Sequence, residues 1–227
     1  MTVAFMKPPL SLALATSILL MCPLLPRQNP SSAGSPATVN KYRDNGLAYF
    51  PTGTFKKLDG SSNDDWADSW AWYLRDRGEP PLLHSTDDSQ TQVYRLTVVG
   101  FPGAKTWIFR LQIKVDATGI LFTKITPFNA SNFILNKQEA ISAADVSGFL
   151  DSVKRARFWQ LPTTEQPEKE MPDGSYWFLE GTRDSEYHLV YRRSPEAKPS
   201  PYTDIGRYLS KDLAKFPDST IRIPRSN

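Results

Sequence analysis

A glutamate and a histidine near the end of the chain, Glu180 and His188, could form a general acid/base pair. They belong to a segment that predicts a β-hairpin, with strands over 175–181 and 186–193 and a short polar link between them. Because side chains alternate between the two faces of a strand, a link of even length places Glu180 and His188 on opposite faces. Only a bulge or an odd-length link would bring them together. The hairpin therefore argues against a catalytic pair, and both residues are expected at partly exposed edges.

The same register groups the side chains that could bind a ligand or a partner. Trp177 and Leu179 share a face with His188, Val190 and Arg192. The opposite face carries Glu180 among aromatic and aliphatic residues. The candidate binding residues are Trp177, Glu180, His188 and Arg192, although the central position of Trp177 also predicts a place in the core.

Motifs for known catalytic chemistry are missing from the sequence. It contains no Gly-x-Ser-x-Gly, no glycine-rich phosphate loop and no His-Glu-x-x-His. The two histidines, His84 and His188, and the single cysteine, Cys22, predict neither a zinc site nor a disulfide. No cofactor and no metal are therefore expected. A Ser–His–Asp triad and a glycosidase-type carboxylate pair remain open, since both assemble in space.

The N-terminal residues have the layout of an export signal. Lys7 is the only charged side chain before an apolar run over 10–25, and small residues follow at 31–33. We expect residues 1–33 to be a signal peptide or an uncleaved N-terminal anchor, 34–60 to be a spacer with irregular structure, and 61–227 to form a single domain. The protein would then be periplasmic or secreted, with membrane contact only through an uncleaved N-terminus.

The charge balance excludes a strongly basic surface. The formal net charge is +3, and removal of residues 1–33 would remove two of the basic residues, Lys7 and Arg27. A small net charge gives no support for electrostatic binding to nucleic acid. We therefore expect a protein partner and no nucleic acid.

The remaining elements predict an α+β fold. A helix over 62–78 carries a Trp66, Trp70, Tyr73 and Leu74 stripe, and Ser62-x-x-Asp65 is similar to a capping box. Strands over 92–99, 105–115 and 120–126 predict a meander. In the second strand, the residues predicted to face outward are Arg110, Gln112 and Lys114, and those predicted to face inward are Trp107, Phe109, Leu111, Ile113 and Val115. Further helices are predicted from Ser142 and over 203–216. An antiparallel sheet, made of a three-stranded meander plus the C-terminal hairpin, would pack against about three helices.

The hairpin also resembles a known pattern. The run Asp173-Gly174-x-x-Trp177-x-x-Glu180, followed by Tyr187-His188 and Arg192-x-Ser194-Pro195, resembles a hairpin of uncharacterised exported bacterial proteins. In those proteins, as here, a helix ending in Phe-Trp-x-Leu-Pro (158–162) precedes the hairpin. The resemblance covers about the last ninety residues and implies no activity, so it implies no catalytic residue.

Two functions remain compatible with the sequence. The favoured hypothesis is an exported, non-enzymatic domain that binds an envelope or secreted protein through an incompletely covered sheet face. The alternative is a small secreted hydrolase with a site where the polar loop over 163–172 meets the hairpin.

Overall fold

One six-stranded antiparallel sheet runs through the protein, as a computed structural model shows. The structure describes residues 48–56, 60–83, 92–100, 105–130, 132–164, 174–184, 186–197 and 199–216. The expected export signal, His84 and most of the 163–172 loop lie outside these ranges. The strands follow the order β4-β3-β2-β1-β5-β6 and comprise β1 (Gln92–Val99), β2 (Lys105–Ile113), β3 (Gly119–Pro127), β4 (Leu135–Ile141), β5 (Tyr176–Arg183) and β6 (Glu186–Arg193).

The helices lie on both faces of this sheet. Helix α1 spans Asp64–Asp76, α2 spans Ala143–Arg155, and α3 spans Pro201–Arg207 and continues as a π-helix over Tyr208–Leu213. The predicted α+β class with an antiparallel sheet is confirmed. The cap predicted for α2 is confirmed as well, because the Ser142 hydroxyl accepts a bond from the Asp145 amide at 3.1 Å.

Two local predictions were wrong, and one strand was missed. Helix α1 begins one residue later than a Ser62 cap would require, because Ser62 donates its hydroxyl to the Asp64 carboxylate instead of capping the helix. Strand β2 ends at Ile113, so Val115 does not face inward and is 74% exposed. Strand β4 was not predicted at all.

The register of the hairpin confirms the predicted sorting of its side chains. Trp177 lies opposite Arg192, whereas Glu180 lies opposite Leu189. His188 lies opposite Gly181, one position beyond Glu180. Glu180 and His188 are therefore on opposite faces of the sheet.

The face that carries Trp177, here called the α2/α3 face, holds the larger core. Its strands pack against α2, α3 and the π-helix through residues such as Phe109, Phe149 and Ile205. Trp177 packs directly on the backbone of Gly206, where a β-carbon would collide with its ring. This close approach brings α3 against the centre of the sheet.

The opposite face, here called the α1 face, is covered by α1 and by an irregular segment around residues 49–55. Trp66 and Trp70 pack edge-on against Phe55 and Tyr73, and Trp70 lies 4.5 Å from Phe178 between ring centroids. The predicted tryptophan stripe is therefore a packing surface, in which edge-to-face rings contribute beyond their buried area. Because this face is also covered, polar side chains that point toward it become buried.

Candidate functional site

The four candidate binding residues do not form one site. Trp177 and Arg192 are neighbours on the α2/α3 face, and both are buried, at 3% and 6% exposure. Arg192 donates to the carbonyl oxygens of Pro162 and Thr163 at 3.0 and 3.1 Å. It thereby joins β6 to the segment that follows α2, a structural role that leaves its guanidinium little access to a ligand.

His188 is half-buried on the same face. Its ring lies edge-on to Phe158 at 5.0 Å and against Trp159 at 6.0 Å between centroids. Burial lowers the pKa of His188, although the backbone of Leu161 and Phe158 partly opposes the shift. His188 is thus held largely neutral among aromatic rings. The carboxylate on its own side of β6, Glu186, also raises its pKa but pairs with Arg183 at 3.2 Å.

Glu180 is completely buried, so the expectation of a partly exposed edge was wrong for this residue. Its carboxylate accepts two bonds from Arg95, from Nε at 2.7 Å and from Nη2 at 2.8 Å, and both side chains have zero exposure. The hydroxyl of Tyr187 donates to the same carboxylate at 3.1 Å. Burial and the neighbouring Glu180 raise the pKa of Tyr187 well above its ordinary value, so this hydroxyl stays a donor.

A second buried carboxylate, Glu79, extends this pair into a network. Glu79 follows α1 and lies 3.6 Å from Arg95, 3.0 Å from Arg110 and 2.8 Å from the Lys124 ammonium. Burial alone would raise the pKa of Glu79, but the three cations outweigh it and hold the pKa below its ordinary value. Three cations and two carboxylates thus share the middle of the α1 face.

The network also fastens the end of α1 to the sheet. Lys124 on β3 donates to the carbonyls of Arg77 and Gly78, both at 2.9 Å, where a cation favours the helix dipole. Arg77 itself donates to Thr126 at 3.1 Å and to the carbonyls of Phe128 and Ala130 at 3.2 Å. Gly78 has φ of +60°, which lets the chain reverse there and direct Glu79 into the network.

Sequence reasoning missed most of this network. Arg110 was expected in solvent, and Arg95 and Glu79 were not singled out. A signal was nevertheless present in the sequence of α1, because four aromatic or aliphatic residues on one side of a helix must pack on a sheet face. The strands are then covered on both faces, so the charged residues that point toward the helix are buried and need partners.

The chemistry open to the network is limited by its own contacts. Each carboxylate is engaged by at least one guanidinium, and neither the Glu79 nor the Glu180 side chain is exposed. A general acid or base must come within hydrogen-bonding distance of its substrate. The network therefore positions α1, β1 and β5, and an exposed surface lies beside it.

That surface is the part of the α1 face that lies beyond Lys124, here called the open face. It comprises Ile120 and Phe122 on β3, Phe133 and Ile134 just before β4, and the side of β4 formed by Asn136, Gln138 and Ala140. Phe133 and Ile134 are 40% and 52% exposed. The guanidinium of Arg110 lies over the Phe122 ring at 3.9 Å, which keeps one cation at the margin of this surface.

Comparisons with known proteins add no family. Neither the models of protein families nor the curated proteins give a match to this sequence. Across the residues that the structure describes, no three His, Cys, Asp or Glu side chains are placed to hold a metal ion. In the same ranges, no helix is both long enough and apolar enough to cross a membrane.

Proposed function

We propose that the protein is an exported, non-enzymatic domain that binds an envelope or secreted protein through the open face. The observation that carries this proposal is the exposure of Phe133 and Ile134 at the margin of the covered part of the sheet. Exposed apolar side chains that adjoin one another, surrounded by polar groups, are typical of interaction sites. The hairpin does not provide this surface, since its aromatic residues are buried or partly buried on both faces.

The chemistry of the open face indicates the kind of partner. Asn136 and Gln138 offer neutral donors and acceptors beside the apolar pair, and Arg110 adds one positive charge over Phe122. A matching surface would be mostly apolar, with amide or hydroxyl groups that meet Asn136 and Gln138. Such a mixed surface suits a protein, whereas a nucleic acid would need several cations.

The alternative of a secreted hydrolase near the 163–172 loop has no observation in its favour. The acid and base that the hairpin could have supplied, Glu180 and His188, lie on opposite faces. Thr163, at the start of this loop, uses its carbonyl oxygen to accept from Arg192 and from the Tyr191 amide. These hydrogen bonds hold the start of the loop against β6, which is a structural role.

Site-specific photo-crosslinking tests the binding surface. A photoreactive phenylalanine analogue replaces Phe133 or Ile134 in the full chain, expressed in its own cells, and Val115 provides the matched control because it is more exposed but lies in a distant turn. We expect one defined adduct from positions 133 and 134, absent at 115 and competed by excess parent protein. Competition should fail with Ile134→Asp. Equal adducts from all three positions would contradict the proposal.

Export is tested separately. Residues 1–33 are fused to a reporter enzyme that is active only outside the cytoplasm, and Leu19→Arg supplies a variant with a charge in the apolar run. We expect activity with the parent segment and none with the variant. A full chain that stays soluble in the cytoplasm with residues 1–33 intact would contradict export.

A further inference from the structure

The two edges of the sheet are finished differently. At β6, the Tyr191 amide donates to the Thr163 carbonyl at 2.7 Å, so the segment after α2 covers part of this edge. Strand β4 forms the other edge, and among the described residues no strand pairs with its outer side. An uncovered edge presents backbone donors and acceptors to another strand.

Charged side chains on an edge strand usually prevent pairing with another strand, but the two charged residues of β4 have opposite charges that cancel. Lys137 and Glu139 lie on the α2/α3 side of the strand and pair with each other at 2.6 Å. On the other side, the exposed residues Asn136, Gln138 and Ala140 carry no charge. The strand therefore lacks the net charge that would repel a second strand.

The sequence of β4 is complementary to itself about Gln138. In an antiparallel pairing of two copies with Gln138 opposite Gln138, Lys137 lies opposite Glu139 and Glu139 opposite Lys137. The ends of the strand match as well, with Leu135 opposite Ile141. We propose that β4 pairs in this register with β4 of a second copy of the chain, across a twofold axis at Gln138. The two sheets would then form one continuous sheet of twelve strands.

The neighbouring registers lack this match. A shift that centres the axis on Lys137 places Lys137 opposite Lys137, and a shift that centres it on Glu139 places Glu139 opposite Glu139. Like charges directly opposite destabilise a strand pair, whereas unlike charges stabilise it. Since a twofold axis repeats each contact, the Gln138 register gains two unlike pairs at once.

Dimerisation would also place two open faces side by side, because an axis perpendicular to the sheet leaves each face on its own side. The dimer does not depend on the proposed function, since it uses the edge of β4 and the charges on its α2/α3 side. Its failure and that of the open face are therefore separable.

Charge reversal in the full chain tests the pairing by sedimentation velocity. We expect a dimer for the parent, with a dissociation constant raised at least about tenfold in Lys137→Glu and in Glu139→Lys, because each variant opposes like charges twice. An equimolar mixture of the two variants should restore a dimer, as should the double variant. Glu186→Lys, an equal charge reversal at the β5–β6 turn, should behave as the parent does.

A cysteine at the axis reports the register. In a Cys22→Ser background, Gln138→Cys should form an intermolecular disulfide under mild oxidation at least about tenfold faster than Asn136→Cys, which lies opposite Ala140 rather than its own copy. Equal rates at the two positions overturn the proposed register. A monomeric parent, or single variants that no mixture rescues although they fold, overturn the pairing itself.

Discussion

Replacement of Glu180 by glutamine separates the charge of the buried pair from its shape. The amide keeps the size of the side chain and an acceptor for Arg95, but it removes the negative charge that faces a guanidinium with zero exposure. Arg95 keeps the Pro80 carbonyl at 2.7 Å and a weak contact with Glu79 at 3.6 Å. The network then holds three cations and one carboxylate instead of three cations and two carboxylates, so its excess of positive charge rises from one to two.

The expected loss is large. Breaking a buried ion pair costs about 3–5 kcal/mol, because the partner charge remains desolvated. This is a substantial part of the 5–15 kcal/mol that stabilises a typical domain. With an m value of about 2 kcal/mol/M, the midpoint of urea unfolding should fall by about 2 M. Tryptophan fluorescence suits the measurement, because Trp66, Trp70 and Trp177 all lie close to the sheet.

Two further variants make the result interpretable. Glu186→Gln breaks the Arg183–Glu186 pair, whose side chains are 38% and 51% exposed, and it should cost less than about 1 kcal/mol. Arg95→Met combined with Glu180→Leu removes both buried charges and should recover most of the loss. If Glu180→Gln costs no more than Glu186→Gln, or if the double variant is no better than the single one, the pair is not desolvated in solution and the reasoning fails.

Three more predictions concern the network and the core. The lowered pKa of Glu79 implies stability that is present above its ordinary value of 4.5 and lost as the pH falls through the folded pKa; Glu79→Gln should lack this acid slope when unfolding is followed between about pH 3 and pH 7. Gly206→Ala should cost about 1–3 kcal/mol of stability despite a better helix propensity, and Trp177→Ala should cost about 3–5 kcal/mol. Because the Trp177 ring packs on Gly206, the losses measured by melting should be less than additive in the double variant. Additive losses would show that the ring does not pack there. His188→Ala should cost about 1 kcal/mol. Because burial lowers the pKa of His188, the parent should lose more stability than the variant as the pH falls below about 6.5; an equal slope in both would refute this.

The parts of the fold that were predictable are those with strong local periodicity. Strands β1 and β6 match their predicted bounds, since alternating apolar residues end at clear turn signals. The hairpin faces followed from the parity of the link alone. Strand β4 gave no such signal, because Asn136, Lys137, Gln138 and Glu139 are poor strand formers, and the ladder with β3 supplies what propensity does not.

The network was beyond local reasoning for a different reason. Glu79, Arg95 and Glu180 are far apart in the sequence, and no spacing rule joins them. Each has an ordinary local explanation, as a residue after a helix or as the polar position of a strand. These charges are buried, and must pair, only because α1 and the residues that follow it pack on this face of the sheet.

The network and the open face follow from one structural choice, the point at which α1 ends. The aromatic cluster holds the helix on the sheet but favours no single position along it, because apolar attraction is not directional. Hydrogen bonds from Lys124 and Arg77 are directional, and they fix the last turn of α1 over β3. Gly78 then reverses the chain, so that Glu79 and Pro80 lie on Lys124 and Arg95, and Phe122 and Ile134 lie at the margin of this cover. A glycine with positive φ and a buried lysine therefore set the border of the surface that we propose for binding.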